Sequence, residues 1–153
     1  MKKMILALPL AISLLTGCAK TLVEYDQASV PVGSKITLLD DTKTRDSARH
    51  VMEQWLTDNG YVYDIKEDTK VDYTDGYSMH YVANWGWDLA TYMRHLSLKV
   101  NNAQQTEGVL KIDTVGCGGF GKFGSAEERI KLSMDFLFGK LTEKEALKRI
   151  CKA

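Results

Sequence analysis

A short apolar run at the N-terminus most constrains this 153-residue chain, because it decides which residues are left to fold. Two lysines precede an apolar stretch from Met4 to Leu15. A membrane-spanning helix needs about 20 apolar residues, whereas the apolar region of a secretory signal peptide has about 7–15. We therefore interpret residues 1–17 as a signal peptide and exclude them from the fold.

The residues around the end of that run, Leu14-Leu15-Thr16-Gly17-Cys18, resemble the lipobox of bacterial lipoproteins. The resemblance implies cleavage before Cys18, a diacylglyceryl group on its thiol and a further acyl chain on the new amino terminus. Two or three acyl chains anchor a protein stably, since each buried methylene contributes about 0.8 kcal/mol. Ala19 stands where the inner-membrane retention signal of enterobacterial lipoproteins usually has aspartate, so the resemblance favours the outer membrane. The alternative is an ordinary cleaved signal with a chance cysteine.

The full sequence has the size and composition of one globular domain. Hydrophobic residues make up 44% and charged residues 26%, and there are only two prolines. Basic and acidic side chains number 20 each, so the chain lacks the basic excess of a nucleic-acid-binding protein. Residues 18–34 are polar and contain Pro31, and we expect them to be a lipidated tether. Residues 35–153 are then a single α/β domain.

Cys117 and Cys151 remain once Cys18 is assigned to the anchor. In an oxidising compartment an even pair is expected to form a disulfide, worth roughly 3–4 kcal/mol in the chain-entropy model. Two free thiols or a metal site are the alternatives, but no histidine is near either cysteine in sequence, and no C-x-x-C spacing is present.

Hydrophobic periodicity predicts an α/β fold of the α+β type. Apolar residues at helical spacing over Ala48–Leu56 predict a helix between two strands, Ile36–Leu39 and Tyr61–Ile65. Period-two alternation then predicts an antiparallel meander, and capping boxes at Ser125 and Thr142 begin two more helices. The meander strands are expected at residues 77–85, 92–100 and 108–115. The prediction is a two-layer sandwich, with one mixed sheet of about five strands and helices packed on one face.

A glycine-rich stretch, residues 116–124, lies between a predicted strand and a predicted helix and matches two nucleotide-binding patterns in part. Phe123 occupies the position where a P-loop needs Ser or Thr, and no strand follows to complete a βαβ unit. We therefore expect no nucleotide and no other cofactor. The stretch is interpreted as a connection that lets Cys117 reach Cys151 and lets two phenylalanine rings tuck under the helix.

Trp85 and Trp87 lie in a segment rich in aromatic residues, Asn84-Trp85-Gly86-Trp87-Asp88. Alternating aromatics usually pack in a core, whereas an exposed pair of tryptophans is a platform for a protein partner or a glycan. This segment is also expected to contain a turn or bulge. Most of the apolar residues are at odd-numbered positions from Tyr77 to Trp87 and at even-numbered positions from Tyr92 to Val100, so the alternation changes register between them.

The sequence gives little support for a catalytic site or a metal site. The three histidines are scattered, and although His80 and His95 are candidates to face each other across a hairpin, a metal site needs three or four ligands. No serine lies in a G-x-S-x-G motif. We predict no catalytic residues and no metal.

The lipobox, the strand segment at residues 36–42 and the motif Trp85-Gly86-Trp87-Asp88-Leu89-Ala90 resemble a family of small outer-membrane lipoproteins from gammaproteobacteria. That family has no assigned biochemical activity that the resemblance could carry over, and the matching residues look structural. We expect a non-enzymatic protein, anchored in the outer membrane by acyl chains on Cys18 and facing the periplasm, that acts as an accessory or assembly factor by contact with an envelope protein. The alternative is a small binding module or inhibitor that recognises a cell-wall enzyme or a glycan through Trp85 and Trp87.

Overall fold

A computed structural model describes residues 20–68, 76–103 and 105–153. It confirms the α+β class, with one open mixed sheet and helices packed against it, although the sheet has six strands rather than about five. Among the described residues, no helix combines the length and apolar content needed to cross a membrane. The elements in chain order are β1 Leu22–Asp26, β2 Lys35–Asp40, α1 Asp46–Asp58, β3 Val62–Glu67, β4 Tyr77–Asp88, β5 Ala90–Asn102, β6 Gln105–Asp113, two 3-10 turns at Thr114–Cys117 and Gly119–Phe123, α2 Ala126–Leu137 and α3 Glu143–Ile150.

The strands follow the order β1-β6-β5-β4-β2-β3. Strand β2 pairs in parallel with both of its neighbours, and α1 makes the crossover from β2 to β3. Strands β4, β5 and β6 form the expected antiparallel meander. The β-α-β opening was predictable from a short apolar run at β2 and a helical period at α1, and the meander from the mostly alternate burial of β4, β5 and β6.

The predicted tether is wrong over the segment that forms β1. Residues Leu22–Asp26 pair antiparallel with β6 and supply one edge of the sheet. Only Leu22 of this strand is buried. The alternation of Val23 and Tyr25 with Glu24 and Asp26 covers four residues, which is too short to distinguish a strand from a polar tether. Further on, the Ala28 amide donates to the Leu137 carbonyl, so the domain includes residues before position 35.

The core lies between the sheet and the helices. Inward-facing residues of β4 and β5, such as Met79, Leu96 and Leu98, are almost fully buried against the helical layer. Helices α1 and α2 are joined by a hydrogen bond from the Trp55 indole to the Asp135 carboxylate, 2.9 Å long. At the start of α3, Thr142 forms a complete capping box with Glu145, as predicted.

The β4–β5 hairpin is longer than the rest of the meander. His95 pairs with Asp113 at the end of β6, so residues Ala90–Arg94 continue beyond that strand. The pairing of β4 with β5 shifts register between Asn84 and Trp85, which is the predicted bulge. The turn itself is at Leu89, whose φ is 64°.

The predicted disulfide between Cys117 and Cys151 is present, with Cα atoms 5.1 Å apart and a sequence separation of 34 residues. It ties the first 3-10 turn to the end of α3. The Thr21 hydroxyl lies 3.7 Å from the Cys117 sulfur and 3.5 Å from the Cys151 sulfur. The first residues of the described chain are therefore packed against this bridge.

Candidate functional site

Three large apolar side chains protrude at the end of the β4–β5 hairpin and from the glycine-rich segment beside it. Trp87 is 76% exposed, Leu89 87% and Phe120 88%. We call these three residues the hairpin-tip surface. Soluble proteins seldom leave large apolar side chains this exposed in one region unless the region makes a contact.

The glycine-rich segment is attached to the hairpin through its aromatic and charged side chains. The rings of Tyr92 and Phe123 meet edge to face with centroids 5.5 Å apart, and Phe120 lies 6.5 Å from Phe123. Lys122 forms an ion pair with Asp88, which raises the pKa of the lysine. These contacts bring Phe120 into the same region as Trp87 and Leu89.

Gly86 leaves room for this arrangement. A Cβ at this position would lie 2.9 Å from the Tyr92 ring, which crosses directly over the glycine. A side chain at residue 86 would therefore displace the ring that contacts Phe123. This explains the glycine between the two tryptophans.

The two tryptophans do not form one surface. Trp85 is half-buried, packs against the core, and has the Arg45 guanidinium 4.6 Å from its ring centroid. Trp87 is exposed. Of the predicted pair, the structure leaves only Trp87 free for a contact, together with Leu89 and Phe120, which the sequence interpretation did not select.

The expectation that both phenylalanine rings tuck under a helix is wrong for Phe120. The two 3-10 turns direct it outward, whereas Phe123 is half-buried. Arg129 donates to the backbone carbonyls of Gly121 and Lys122. Part of the glycine-rich segment thus presents carbonyl oxygens to a guanidinium, whereas a phosphate-binding loop presents amide groups.

A second exposed apolar surface lies beside β1. Val23 and Tyr25 are on one face of this edge strand, and Leu147 of α3 is beside them; these three residues are 59%, 42% and 40% exposed. With Glu143 they line a groove of about 380 Å³. We call it the edge-strand groove. The carboxylate of Glu143 accepts a hydrogen bond from the Tyr25 hydroxyl and raises its pKa.

The histidines His80 and His95 do not face each other. His80 pairs across the hairpin with Lys99, and His95 pairs with Asn84, four positions further along β4. Each imidazole has its own carboxylate neighbour, Asp68 at 3.4 Å and Asp113 at 3.0 Å respectively. In the part of the chain that the structure describes, no cluster of three His, Cys, Asp or Glu side chains is placed to hold a metal ion.

A partly buried polar cluster lies where β2 meets α1. The Tyr81 hydroxyl donates to Asp40, and Arg49 donates to the other Asp40 oxygen at 2.7 Å. Burial, followed by the hydrogen bond to Asp40 and its charge, raises the pKa of Tyr81. Arg49 also lies 3.0 Å from Glu53. These groups are directed at one another, and we interpret the cluster as structural.

Cys18, the predicted lipidation site, lies outside the described residues. No protein-family model, curated protein or solved structure matches this chain. The hairpin-tip surface and the edge-strand groove are therefore interpreted from their geometry.

Proposed function

We propose that this chain is an outer-membrane lipoprotein, anchored by acyl chains on Cys18 with its domain in the periplasm. In this proposal it is not an enzyme but an accessory or assembly factor that acts by contact with an envelope protein. The lipobox around Cys18 and the almost neutral charge of the domain support this proposal.

The observation that carries the proposed contact is the edge-strand groove. No other strand of the described chain pairs with the outer side of β1, so its peptide groups are available at the sheet edge. Val23 and Tyr25 add apolar side chains next to that edge, and Leu147 adds a third from α3. An extended segment of another protein can extend the sheet here and place alternate side chains in the groove.

The chemistry of this surface favours a protein over a lipid. Unpaired peptide N–H and C=O groups need hydrogen-bond partners, which hydrocarbon chains do not provide. A partner strand supplies them, and the side chains of the groove then determine which sequences fit. Proteins commonly protect edge strands with charges, and Glu24 and Asp26 would restrict the choice of partner by repelling acidic segments.

The groups with catalytic potential support a non-enzymatic role. Tyr81 and Arg49 both donate to Asp40 within a packed cluster. The two sheet histidines are separated along β4, each beside a carboxylate on its own side. These groups do not converge on a shared pocket, as an acid–base pair acting on one substrate would.

Site-specific photocrosslinking in cells tests this proposal with a closely matched control. The crosslinker replaces Val23 in one full-length protein and Val62 in another; Val62 lies on the opposite edge strand and is 58% exposed, against 59% for Val23. We expect position 23 to yield one envelope protein, identified by mass spectrometry, and position 62 not to yield it. The adduct should be lost with Leu147→Asp, which changes the groove outside the strand, and with Cys18→Ala.

Equal labelling at both edges, or an adduct that Leu147→Asp leaves unchanged, would contradict binding at the edge-strand groove. If the adduct forms equally well with Cys18→Ala, contact does not depend on the anchor, and the proposed role at the membrane fails.

The exposure of Trp87 favours a second candidate function, a small binding module that recognises a cell-wall enzyme or a glycan. In that case the hairpin-tip surface is the binding site and the edge-strand groove is not. Protection of Trp87 from an aqueous quencher by soluble peptidoglycan fragments, without lipid, would support this candidate.

A further inference from the structure

We propose that the hairpin-tip surface rests on the phospholipid bilayer that holds the acyl chains of Cys18. The domain would then be held at two points, which fixes its orientation and leaves the edge-strand groove available for a protein. This inference rests on the proposed lipidation of Cys18.

The beginning of the described chain and the hairpin tip lie at the same end of the sheet. Leu22 pairs with Ile112, and the Asp113 amide donates to the Thr21 carbonyl, so β1 begins level with the end of β6. Residues Ala90–Arg94 continue past the end of β6 in the same direction. The hairpin therefore projects from the end of the sheet at which the anchor enters.

The anchor has little freedom to move away from this end. Cys18 precedes Lys20 by two residues, and at about 3.3–3.6 Å per residue their Cα atoms are at most about 7 Å apart. Residues Ala90–Arg94 extend about 17 Å past β6, at about 3.3–3.4 Å per residue. The hairpin tip thus projects about as far as the lipidated cysteine can reach, or further.

The glycine-rich segment lies beside the anchor as well. A Cβ on Gly116 would be 2.6 Å from the Thr21 nitrogen and 2.8 Å from the Lys20 carbonyl carbon, so the two backbones are in direct contact. Phe120 follows four residues later in the same segment. Acyl chains on Cys18 would therefore enter the bilayer close to the element that carries Phe120.

The chemistry of the tip suits an interfacial membrane contact. Trp, Leu and Phe are the residues with which peripheral proteins enter the headgroup region, to a depth of about 5–10 Å. In the hairpin, Trp87 pairs with Thr91 and Asp88 with Ala90. The outer edges of both strands are unpaired at the tip, because β2 pairs with β4 only as far as His80 and β6 pairs with β5 only from His95 onward. The contact we propose is therefore with the hydrated headgroup region, where water can bind these peptide groups, and not with the hydrocarbon core. The nearby Arg94 and Lys20 are exposed cations that anionic headgroups attract.

The test uses tryptophan fluorescence of the full-length lipidated protein in phosphatidylcholine–phosphatidylglycerol vesicles with brominated acyl chains. The emission that Trp87→Phe removes belongs to Trp87. We expect brominated lipid to quench that emission and acrylamide in the water to lose access to it. In a Trp87→Phe/Phe120→Trp protein, the new indole should also be quenched by the lipid.

A matched control places the probe at the other end of the domain. Val32 is 75% exposed and lies next to Gly60, before β2 and far from the hairpin tip in the sheet. In a Trp87→Phe/Val32→Trp protein, brominated lipid should leave the new indole unquenched and acrylamide should reach it. Circular dichroism and an intact Cys117–Cys151 bridge verify that each variant is folded.

The outcomes separate this inference from the proposed function. An intact mass without acyl chains on Cys18 would show that the anchoring proposal has failed, and this inference would fail with it. If Cys18 is acylated while Trp87 stays as open to acrylamide as the probe at position 32, the tip does not contact the bilayer and only this inference is overturned. It is also overturned if Trp87 is shielded only when envelope proteins or glycans are added.

Discussion

Trp85 and Trp87 are two residues apart on β4, yet only Trp85 packs against the core, under the Arg45 guanidinium at 4.6 Å. Trp87 extends past the end of β6 and is 76% exposed. The difference arises because Trp85 lies beside residues of α1 and α2, such as Ala48 and Ile130, whereas Trp87 is two residues nearer the tip. One tryptophan therefore stabilises the fold, and the other is available for a contact.

Substitution of these two tryptophans should separate stability from binding. Trp85→Ala removes packing and a cation–π contact, and we expect it to lower the free energy of unfolding by about 1–3 kcal/mol. Trp87→Ala removes an exposed side chain and should change it by less than about 0.5 kcal/mol. Urea denaturation measures both. Equal losses for the two variants would mean that Trp87 packs in the fold as Trp85 does.

Reduction of the disulfide should weaken the fold. The bridge between Cys117 and Cys151 closes a loop of 34 residues, for which the chain-entropy model gives about 3–4 kcal/mol. We expect the urea midpoint of the wild-type protein to fall on addition of reductant. The Cys117→Ala/Cys151→Ala variant serves as the control and should not respond to reductant. An unchanged wild-type midpoint would contradict the structural role of the bridge.

The buried tyrosine predicts a loss of stability at alkaline pH. Burial and Asp40 raise the pKa of Tyr81 above its ordinary value of 10.0, so the unfolded chain loses this proton at a lower pH than the folded chain. The stabilisation is complete below pH 10.0 and declines as the pH rises above that value. Tyr81→Phe should be less stable at neutral pH, by about 1.5–3 kcal/mol for the lost bond to a carboxylate.

The measurement is urea denaturation of wild type and Tyr81→Phe between about pH 8 and pH 11. We expect the wild-type stability to fall more steeply above the ordinary tyrosine pKa, so that the two curves converge. Parallel curves would show that Tyr81 contributes nothing to alkaline unfolding.

Gly116→Ala tests the packing of the chain start against the glycine-rich segment. The added methyl group would lie 2.6 Å from the backbone nitrogen of Thr21, so one of the two backbones has to move. Overpacking of this kind costs about 1–3 kcal/mol, and hydrogen exchange at the β1 amides should accelerate. Val115→Ala, a change at the exposed neighbouring position, is the control and should leave exchange unchanged. Unaltered exchange at the β1 amides in Gly116→Ala would contradict the packing of the start of the described chain against Gly116.

Local pattern was sufficient to predict the elements with a buried face. Helix α1 and the strands β4 and β5 bury residues mostly at regular spacing, and the bulge near Trp85 was visible as a slip in that spacing. Strand β2 was visible as a short apolar run. The disulfide followed from the count of cysteines. The helix, the strands and the bulge depend on residues close together in sequence. The disulfide could be predicted because Cys117 and Cys151 are the two cysteines left once Cys18 is assigned to the anchor.

The features that depend on distant contacts could not be predicted in the same way. Strand β1 buries only Leu22 and forms because β6 offers an edge, more than 80 residues further along the chain. The outward position of Phe120 depends on two 3-10 turns and on the contact of Phe123 with Tyr92. The hairpin-tip surface therefore contains one residue that the sequence indicated, Trp87. The other two, Leu89 and Phe120, could be assigned to it only from the fold.

The central claim is that the domain is held on a membrane by acyl chains on Cys18. Intact-mass and fragment mass spectrometry of the protein extracted from envelopes tests it most directly. We predict a mature chain that begins at Cys18 and carries a diacylglyceryl group on the thiol and a further acyl chain on the amino terminus. A mature chain that begins at another residue, or a Cys18 that carries no lipid, would contradict the account.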